Sequence, residues 1–81
     1  MKLRITFFAA ARDAVGTDEV ELELSSAPTT AELRQRLLSD YPDLRPLGHA
    51  LHIAVNSDYA SEDRVLADSD EVVCFPPVSG G

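Results

Sequence analysis

Only one segment of this chain carries the signals of a full-length helix, and segments that alternate like β-strands lie on both sides of it. Thr29-Thr30-Ala31-Glu32 fits a capping box, in which the Thr29 hydroxyl accepts a hydrogen bond from the Glu32 amide. Apolar residues then recur at helical spacing to about Asp40, and Pro42 ends the helix. One helix of about three turns can cover one face of a sheet, so the sequence predicts a two-layer α+β domain.

Two strand-like segments precede this helix. In Lys2–Phe8 and in Glu19–Leu24, apolar side chains occupy every second position. The alanine-rich segment Ala9–Val15 between them predicts one or two helical turns that Gly16 closes. We therefore expect the two strands to pair as an antiparallel hairpin with a long connection.

Further strand signals follow the helix. Pro42–Gly48 is predicted to be an irregular loop. Leu51–Val55 predicts a buried third strand, and Tyr59 falls in a turn or a short edge strand. Glu71–Phe75 predicts a last strand, which the prolines that follow it stop.

The predicted order is thus strand, strand, helix, strand, short strand, strand. In a chain of 81 residues this order indicates the β-grasp architecture of ubiquitin-like proteins. We expect a mixed sheet of four to five strands with one main helix packed on one face. Residues 1–75 would form this domain, and residues 76–81 a flexible C-terminal tail.

Charge and apolar patterning argue against several classes of protein. The chain has 7 basic and 14 acidic residues, a formal net charge of −7, which disfavours nucleic acid and anionic membranes as partners. No apolar run approaches the roughly 20 residues of a spanning helix. A single cysteine allows no internal disulfide, which predicts a cytoplasmic protein.

No catalytic or metal-binding constellation is visible. His49 and His52 lack cysteines or a carboxylate at ligand spacing, and we expect surface or edge histidines there. Cys74 shares the inward face of the last strand with Val72, which predicts an inert core thiol. Enzymatic side chains are therefore not expected on this chain.

Three aromatic residues do not fit a plain globular domain. By strict alternation, Phe8 falls opposite Phe7 on the outward face of the first strand, and Phe75 falls on the outward face of the last. Tyr59 lies in a polar turn region. If these three cluster, they predict a protein-binding patch. The alternative is that Phe8 or Phe75 tucks over the edge of the sheet.

The C-terminal segment, Phe75-Pro76-Pro77-Val78-Ser79-Gly80-Gly81, is unusual as well. Two prolines stiffen the exit from the strand, and the six residues after the strand reach roughly 20 Å when extended. Glycines at the end let such a tail thread a narrow channel and present its carboxylate inside another protein. A frayed terminus or a cloning scar are the alternatives.

These residues together resemble a known family. The chain is similar over nearly its whole length to the small, sulfur-carrier subunits of molybdopterin synthase, the MoaD type of the ubiquitin-like β-grasp proteins. The motifs that carry the resemblance are Phe7-Phe8-Ala9 with Arg12, Val15-Gly16, Val55-Asn56, Asp70-Glu71-Val72 and the C-terminal segment from Phe75 to Gly81.

The resemblance implies a function for the terminal glycine carboxylate, here that of Gly81, with Gly80 permitting the tail to thread. A ubiquitin-activating-enzyme-like adenylyltransferase would use ATP to adenylate Gly81, and sulfur from a persulfide would convert it to a thiocarboxylate. The thiocarboxylate would donate sulfur to cyclic pyranopterin monophosphate in molybdenum cofactor (molybdopterin) biosynthesis. The chain itself would bind no cofactor and no metal, and would be a non-catalytic sulfur-donor subunit of a transferase.

The resemblance also implies a large-subunit partner, in a heterotetramer of two small and two large subunits. The partner-binding positions that it implies are Phe8, Arg12, Tyr59, Phe75, Pro76, Pro77, Val78 and Ser79.

Three other functions stay open. They are a sulfur carrier for thiamine or another thio-metabolite, a ubiquitin-like protein modifier, and an interaction module with an inert tail. Phe7-Phe8-Ala9 with Arg12 favours the pterin pathway over the other carriers. Lys2, the only lysine, leaves few acceptors for chains of a modifier on itself.

Overall fold

A computed structural model describes residues 1–48 and 50–76 of the protein. The elements in chain order are β1 (Lys2–Phe7), α1 (Ala9–Val15), β2 (Glu19–Glu23), α2 (Thr30–Asp40), a 3₁₀ helix (Pro42–Leu47), β3 (His52–Val55), β4 (Asp58–Tyr59) and β5 (Val72–Phe75). The predicted order of strands and main helix is confirmed. His49 and the predicted tail residues from Pro77 to Gly81 lie outside the described residues.

The strands form one mixed sheet in the order β2-β1-β5-β3-β4. The predicted hairpin is present, because β1 pairs antiparallel with β2 and Gly16 closes α1 in the left-handed conformation. At the centre of the sheet β1 and β5 run parallel, and β5 pairs antiparallel with β3. This arrangement confirms the predicted α+β, β-grasp fold.

One face of the sheet and the apolar side of α2 form the core. Leu33 and Leu37 of α2 are buried against the inward side chains of the strands. Those inward side chains are Leu3, Ile5, Phe7, Leu22, Ile53, Val55, Val72 and Cys74. The alternation in the sequence therefore assigns the two faces of the sheet correctly.

The capping box at the start of α2 is present as predicted. The Thr29 hydroxyl accepts a hydrogen bond from the Glu32 amide, and the Thr29 amide donates to the Glu32 carboxylate, both at 3.2 Å. The segment before β5 also binds this end of the helix, since the Thr30 amide donates to the Arg64 carbonyl at 2.9 Å. No helix among the described residues has the length and hydropathy to span a bilayer.

The prediction of an irregular loop over Pro42–Gly48 is wrong. Pro42–Leu47 forms a 3₁₀ helix, with Pro42 at its start, where a fixed φ and a missing N–H cost nothing. Leu44 is fully buried and packs in the core. The segment is therefore regular because a buried leucine anchors it, a tertiary effect that local turn signals do not reveal.

A hydrogen-bond network joins the β3–β4 turn to the start of β5. Asn56 and Ser57 both have positive φ, at 53° and 74°, the backbone geometry of a tight two-residue hairpin. The Asn56 side-chain amide donates to the Asp70 carboxylate at 2.9 Å, and its oxygen accepts from the Glu71 amide at 2.9 Å. The Ala67 amide donates to the other Asp70 oxygen at 2.8 Å. Two of the motifs that carry the family resemblance therefore touch each other.

The network makes stability depend on pH. The Ala67 amide bond, helped by the Asn56 side chain, lowers the pKa of the Asp70 carboxyl below its ordinary value of 3.8. A carboxyl whose pKa is lower in the folded state stabilises the fold above the unfolded-state pKa. That contribution is lost as the pH falls through the folded-state value.

We predict that Asp70→Ala lowers the free energy of unfolding by about 1 kcal/mol near pH 7, because two hydrogen bonds to a carboxylate are lost. The difference from the wild type should shrink as the pH falls below 3.8. Urea denaturation at a series of pH values measures it. Asp68→Ala, in the same turn but outside the network, is the control. An Asp70→Ala deficit that stays constant into strong acid would contradict the assignment.

Candidate partner-binding surface

The register of the central strands brings Phe8 and Phe75 to one face of the sheet. Phe7 pairs with Cys74 in the parallel β1–β5 ladder, and both side chains are fully buried. The Phe8 amide donates to the Cys74 carbonyl at 3.1 Å, so the pairing continues past the end of β1. Because side chains alternate along a strand, Phe8 and Phe75 both point to the outer face, opposite α2, from adjacent strands.

Two more rings extend this row across the sheet. His52 is the partner of Phe75 in the antiparallel β3–β5 ladder, and their ring centroids are 5.4 Å apart. Tyr59 on the edge strand β4 lies 5.8 Å from Phe75 and 5.3 Å from His52. We call Phe8, His52, Tyr59 and Phe75 the aromatic patch.

The members of the patch differ in exposure. Phe8 and Tyr59 have 52% and 72% of their surface exposed, which agrees with the prediction that both side chains point outward. Phe75 was expected to be exposed as well, but it is half-buried. The rings of His52 and Tyr59 pack on it and remove part of it from solvent. The predicted clustering of Tyr59 and Phe75 is therefore present, with Phe75 at the base of the cluster.

A shallow groove of about 270 Å³ lies on the patch. Its walls are Ala54, Ser57, Tyr59, Val73 and Phe75. Ala54 pairs with Tyr59 on one side and with Val73 on the other, so its small methyl group forms the floor between larger side chains. This surface can accept an apolar side chain of a partner.

Charged side chains lie on the same face of the sheet, on the side of β2. Arg4 lies between two carboxylates, 3.4 Å from Glu19 and 3.9 Å from Glu21. Exposed ion pairs of this kind add little stability, but they orient charge at the rim of an interface. The outer face thus divides into an apolar half at the end of β5 and a charged half at the start of β1.

Arg12 lies close to the patch in sequence and is exposed. Phe8 is the N-cap of α1, and Arg12 follows it by one helical turn, with its amide donating to the Phe8 carbonyl at 3.4 Å. Ala9 between them has φ of 55°, a left-handed turn that takes the chain sharply from β1 into α1. Because of this turn, Phe8 lies at the end of the sheet and Arg12 lies on α1.

The C-terminal segment leaves the sheet at the patch. Pro76 is half-buried and follows Phe75 directly. The other tail residues that the resemblance implies, Pro77, Val78, Ser79, Gly80 and Gly81, lie outside the described residues. Their proposed roles therefore stay predictions, and the structure fixes only the point from which the tail begins.

Sequence reasoning missed His52 as a member of this surface. It was expected to be an ordinary surface or edge histidine, yet its ring packs against two of the three predicted aromatics. The signal was present in the alternation of β3, where Ile53 and Val55 point inward and His52 and Ala54 outward. What the alternation did not reveal was that β3 would be the neighbour of β5.

Cys74 is a core thiol, as the sequence predicts. Cys74 is fully buried, and this burial raises the pKa of its thiol to about 11. Among the residues that the structure describes, no group of three or more His, Cys, Asp or Glu side chains is arranged to hold a metal ion. The notable surface of this chain is therefore the aromatic patch and the tail that begins beside it.

A mixed sheet of this topology with one helix packed on it defines a ubiquitin-like β-grasp protein, and here the C-terminal segment leaves the sheet beside the aromatic patch. More narrowly, residues 5–81 match the ThiS family, and the chain belongs to that family.

Individual relatives agree with this assignment. The molybdopterin synthase sulfur carrier subunit of Escherichia coli (strain K12) is 42% identical over 81 residues, which cover 98% of this chain and 99% of the relative. The putative molybdopterin converting factor, subunit 1, from Pyrococcus furiosus has a solved structure with a TM-score of 0.86 at 30% identity, covering 96% of this chain and 99% of that one.

Two other solved structures share the fold. SAMP1 from Haloferax volcanii has a TM-score of 0.85 at 25% identity, and each chain is covered completely. A chain from the protein–protein complex of subunits 1 and 2 of molybdopterin-converting factor from Helicobacter pylori 26695 has a TM-score of 0.70 at 23% identity, again with both chains covered completely. At that identity the second likeness shows the fold alone.

We predict that Cys74→Ser lowers the free energy of unfolding by about 1–3 kcal/mol, because it places a hydroxyl among apolar side chains. Guanidinium denaturation measures the loss, and Cys74→Ala, which removes the sulfur without adding a polar group, is the control. The native thiol should also resist alkylation at mildly alkaline pH. Rapid alkylation of the folded protein would contradict its burial.

Proposed function

We propose that this chain is the sulfur-carrier subunit of molybdopterin synthase and that the Gly81 carboxylate carries the sulfur. The observation that supports the proposal most is the end-to-end similarity to the Escherichia coli sulfur carrier subunit. The patch supports it as well, because it lies where the C-terminal segment leaves the sheet.

The chemistry that this proposal requires can be written on one carboxylate. An oxygen of the Gly81 carboxylate attacks the α-phosphorus of ATP, and pyrophosphate leaves. The terminal sulfur of a persulfide then attacks the activated carbonyl carbon, AMP leaves, and a thiol reduces the resulting sulfur–sulfur bond to free the thiocarboxylate. Adenylation is needed because a carboxylate oxygen is a poor leaving group, and the thiocarboxylate sulfur is the better nucleophile.

The catalytic apparatus in this proposal belongs to the partners. A ubiquitin-activating-enzyme-like adenylyltransferase uses the ATP, and the large synthase subunit holds cyclic pyranopterin monophosphate while the thiocarboxylate attacks it. This chain then needs no cofactor and no reactive side chain of its own, which agrees with a thiol that is buried on the inner face. The proposal places the reaction in the cytoplasm, where ATP reaches the activating enzyme.

The aromatic patch is the docking surface in this proposal. Phe8 and Tyr59 are exposed, the groove beside Tyr59 is mostly apolar, and Arg12 is exposed one helical turn after Phe8. A large subunit that covers the patch would receive the tail from Pro76 onward. We infer the assembly of two small and two large subunits from the family alone.

A second function has an observation in its favour. SAMP1, whose structure this chain matches closely, is called a small archaeal modifier protein. In a modifier the Gly81 carboxylate would form an amide with a lysine of another protein instead of a thiocarboxylate. A sulfur carrier for thiamine or another thio-metabolite would form the thiocarboxylate but would pass it to a different acceptor.

We predict that deletion of Gly81 abolishes molybdopterin formation in a reconstituted system of activating enzyme, ATP, sulfur donor, large subunit and pterin precursor. The reacting carbonyl would be displaced by one residue from its position in the partner's site. Cys74→Ser, which removes the only thiol of the chain, is the matched control and should retain sulfur transfer.

Normal product formation without Gly81 would overturn every function that depends on the terminal carboxylate. If wild-type protein gave no molybdopterin but became joined to lysines of other proteins, the modifier function would replace the one proposed.

We predict that Phe75→Ala or Phe8→Ala weakens binding of the large subunit by about 2 kcal/mol or more, because a central aromatic anchor is removed. Titration calorimetry measures the change, and thermal melting checks that each variant is folded. Val65→Ala is the matched control, since Val65 is also apolar and 58% exposed but lies beside the start of α2. Unaltered binding by folded Phe75→Ala and Phe8→Ala would remove the patch from the proposed interface.

A further inference from the structure

The aromatic patch has a polar group at its centre. The imidazole of His52 lies 5.4 Å from the Phe75 ring and 5.3 Å from the Tyr59 ring, measured between centroids. It is half-buried, and it shares the outer face with Ala54. A partner that covers both Phe75 and Tyr59 must therefore also cover His52.

The two charged side chains that line a groove together with His52 are paired with each other. Arg34 and Glu62 line this second groove, which is distinct from the one on Phe75, and the Arg34 Nη2 to Glu62 Oε1 distance is 2.8 Å. The Arg34 Nη1 donates to the carbonyls of Gly48 and Leu51 at 3.1 and 2.8 Å. From β4, the Tyr59 ring contacts the imidazole at an interplanar angle of 66°.

Within residues 1–48 and 50–76, no hydrogen bond or ion pair engages the imidazole nitrogens. In the free protein, water can satisfy them because the ring is only half-buried. Once a partner removes that water, an unpaired donor or acceptor carries a desolvation penalty. An otherwise apolar partner that buried the imidazole would therefore bind less tightly.

We propose that His52 is a specificity-determining residue of this surface, and that the synthase large subunit presents a hydrogen-bonding group to its imidazole. The inference rests on the proposed function, since it takes the large subunit as the occupant of the patch. It goes further in stating the chemistry of that occupant: an apolar surface with one polar group opposite His52. A large subunit that is apolar throughout would be rejected, because it would leave the imidazole unpaired.

The test compares two kinds of substitution at this position. His52→Phe keeps a ring that can pack against Phe75 and Tyr59 but removes both nitrogens. His52→Gln and His52→Asn lose the ring but place an amide near Nε2 and Nδ1, respectively. Affinity for the purified large subunit is measured by titration calorimetry for each variant, with Val65→Ala as the surface control. Thermal melting checks that each variant is folded.

We expect His52→Phe to weaken binding about tenfold or more, because a partner group is left unpaired. One of the two amide variants should bind more tightly than His52→Phe, and which of them does so identifies the bonded nitrogen. Equal or tighter binding by folded His52→Phe would overturn the inference, and so would amide variants that bind no better than His52→Phe.

The outcome separates this inference from the proposed function. If Phe75→Ala weakens binding and His52→Phe does not, the patch is the docking surface and only the role of His52 is wrong. If neither substitution changes binding, the large subunit does not dock on the patch, and both the interface and the inference fail.

Discussion

The parallel pairing of β1 with β5 at the centre of the sheet determines the rest of this structure. In that register Ile5 meets Val72 and Phe7 meets Cys74, and all four side chains are buried under α2. A slip of one residue would turn Phe7 outward and Phe8 into the core, because side chains alternate with a period of two. The same ladder therefore buries Phe7 in the core and turns Phe8 outward into the patch.

The same pairing fixes where the C-terminal segment leaves the domain. The last strand is central, not at an edge, so the chain leaves the sheet between Phe8 and His52, in the middle of the patch. A partner that binds this face is then next to Pro76 and receives whatever follows it. In the proposed function the partner binds the folded domain, and the reacting atom belongs to the terminal carboxylate.

Much of this could be predicted from the sequence, since local patterns specify it. Alternation marked the inward faces of β1 and β5, the capping box marked the start of α2, and Gly16 marked the end of α1. The features that could not be predicted depend on tertiary neighbours. Burial of Leu44 orders the segment after α2 as a 3₁₀ helix. The β3–β5 ladder places His52 beside Phe75, so the Phe75 ring is half-buried although alternation alone predicts that it is exposed.

The most direct test of the account is the intact mass of the protein after incubation with its activating enzyme, ATP and a persulfide donor. We predict a species heavier by one oxygen-to-sulfur exchange, with fragmentation placing the sulfur at Gly81 and not at Cys74. An unchanged mass, obtained with an activating enzyme proven active on another carrier, would contradict it. The C-terminal segment would then be at most a docking element.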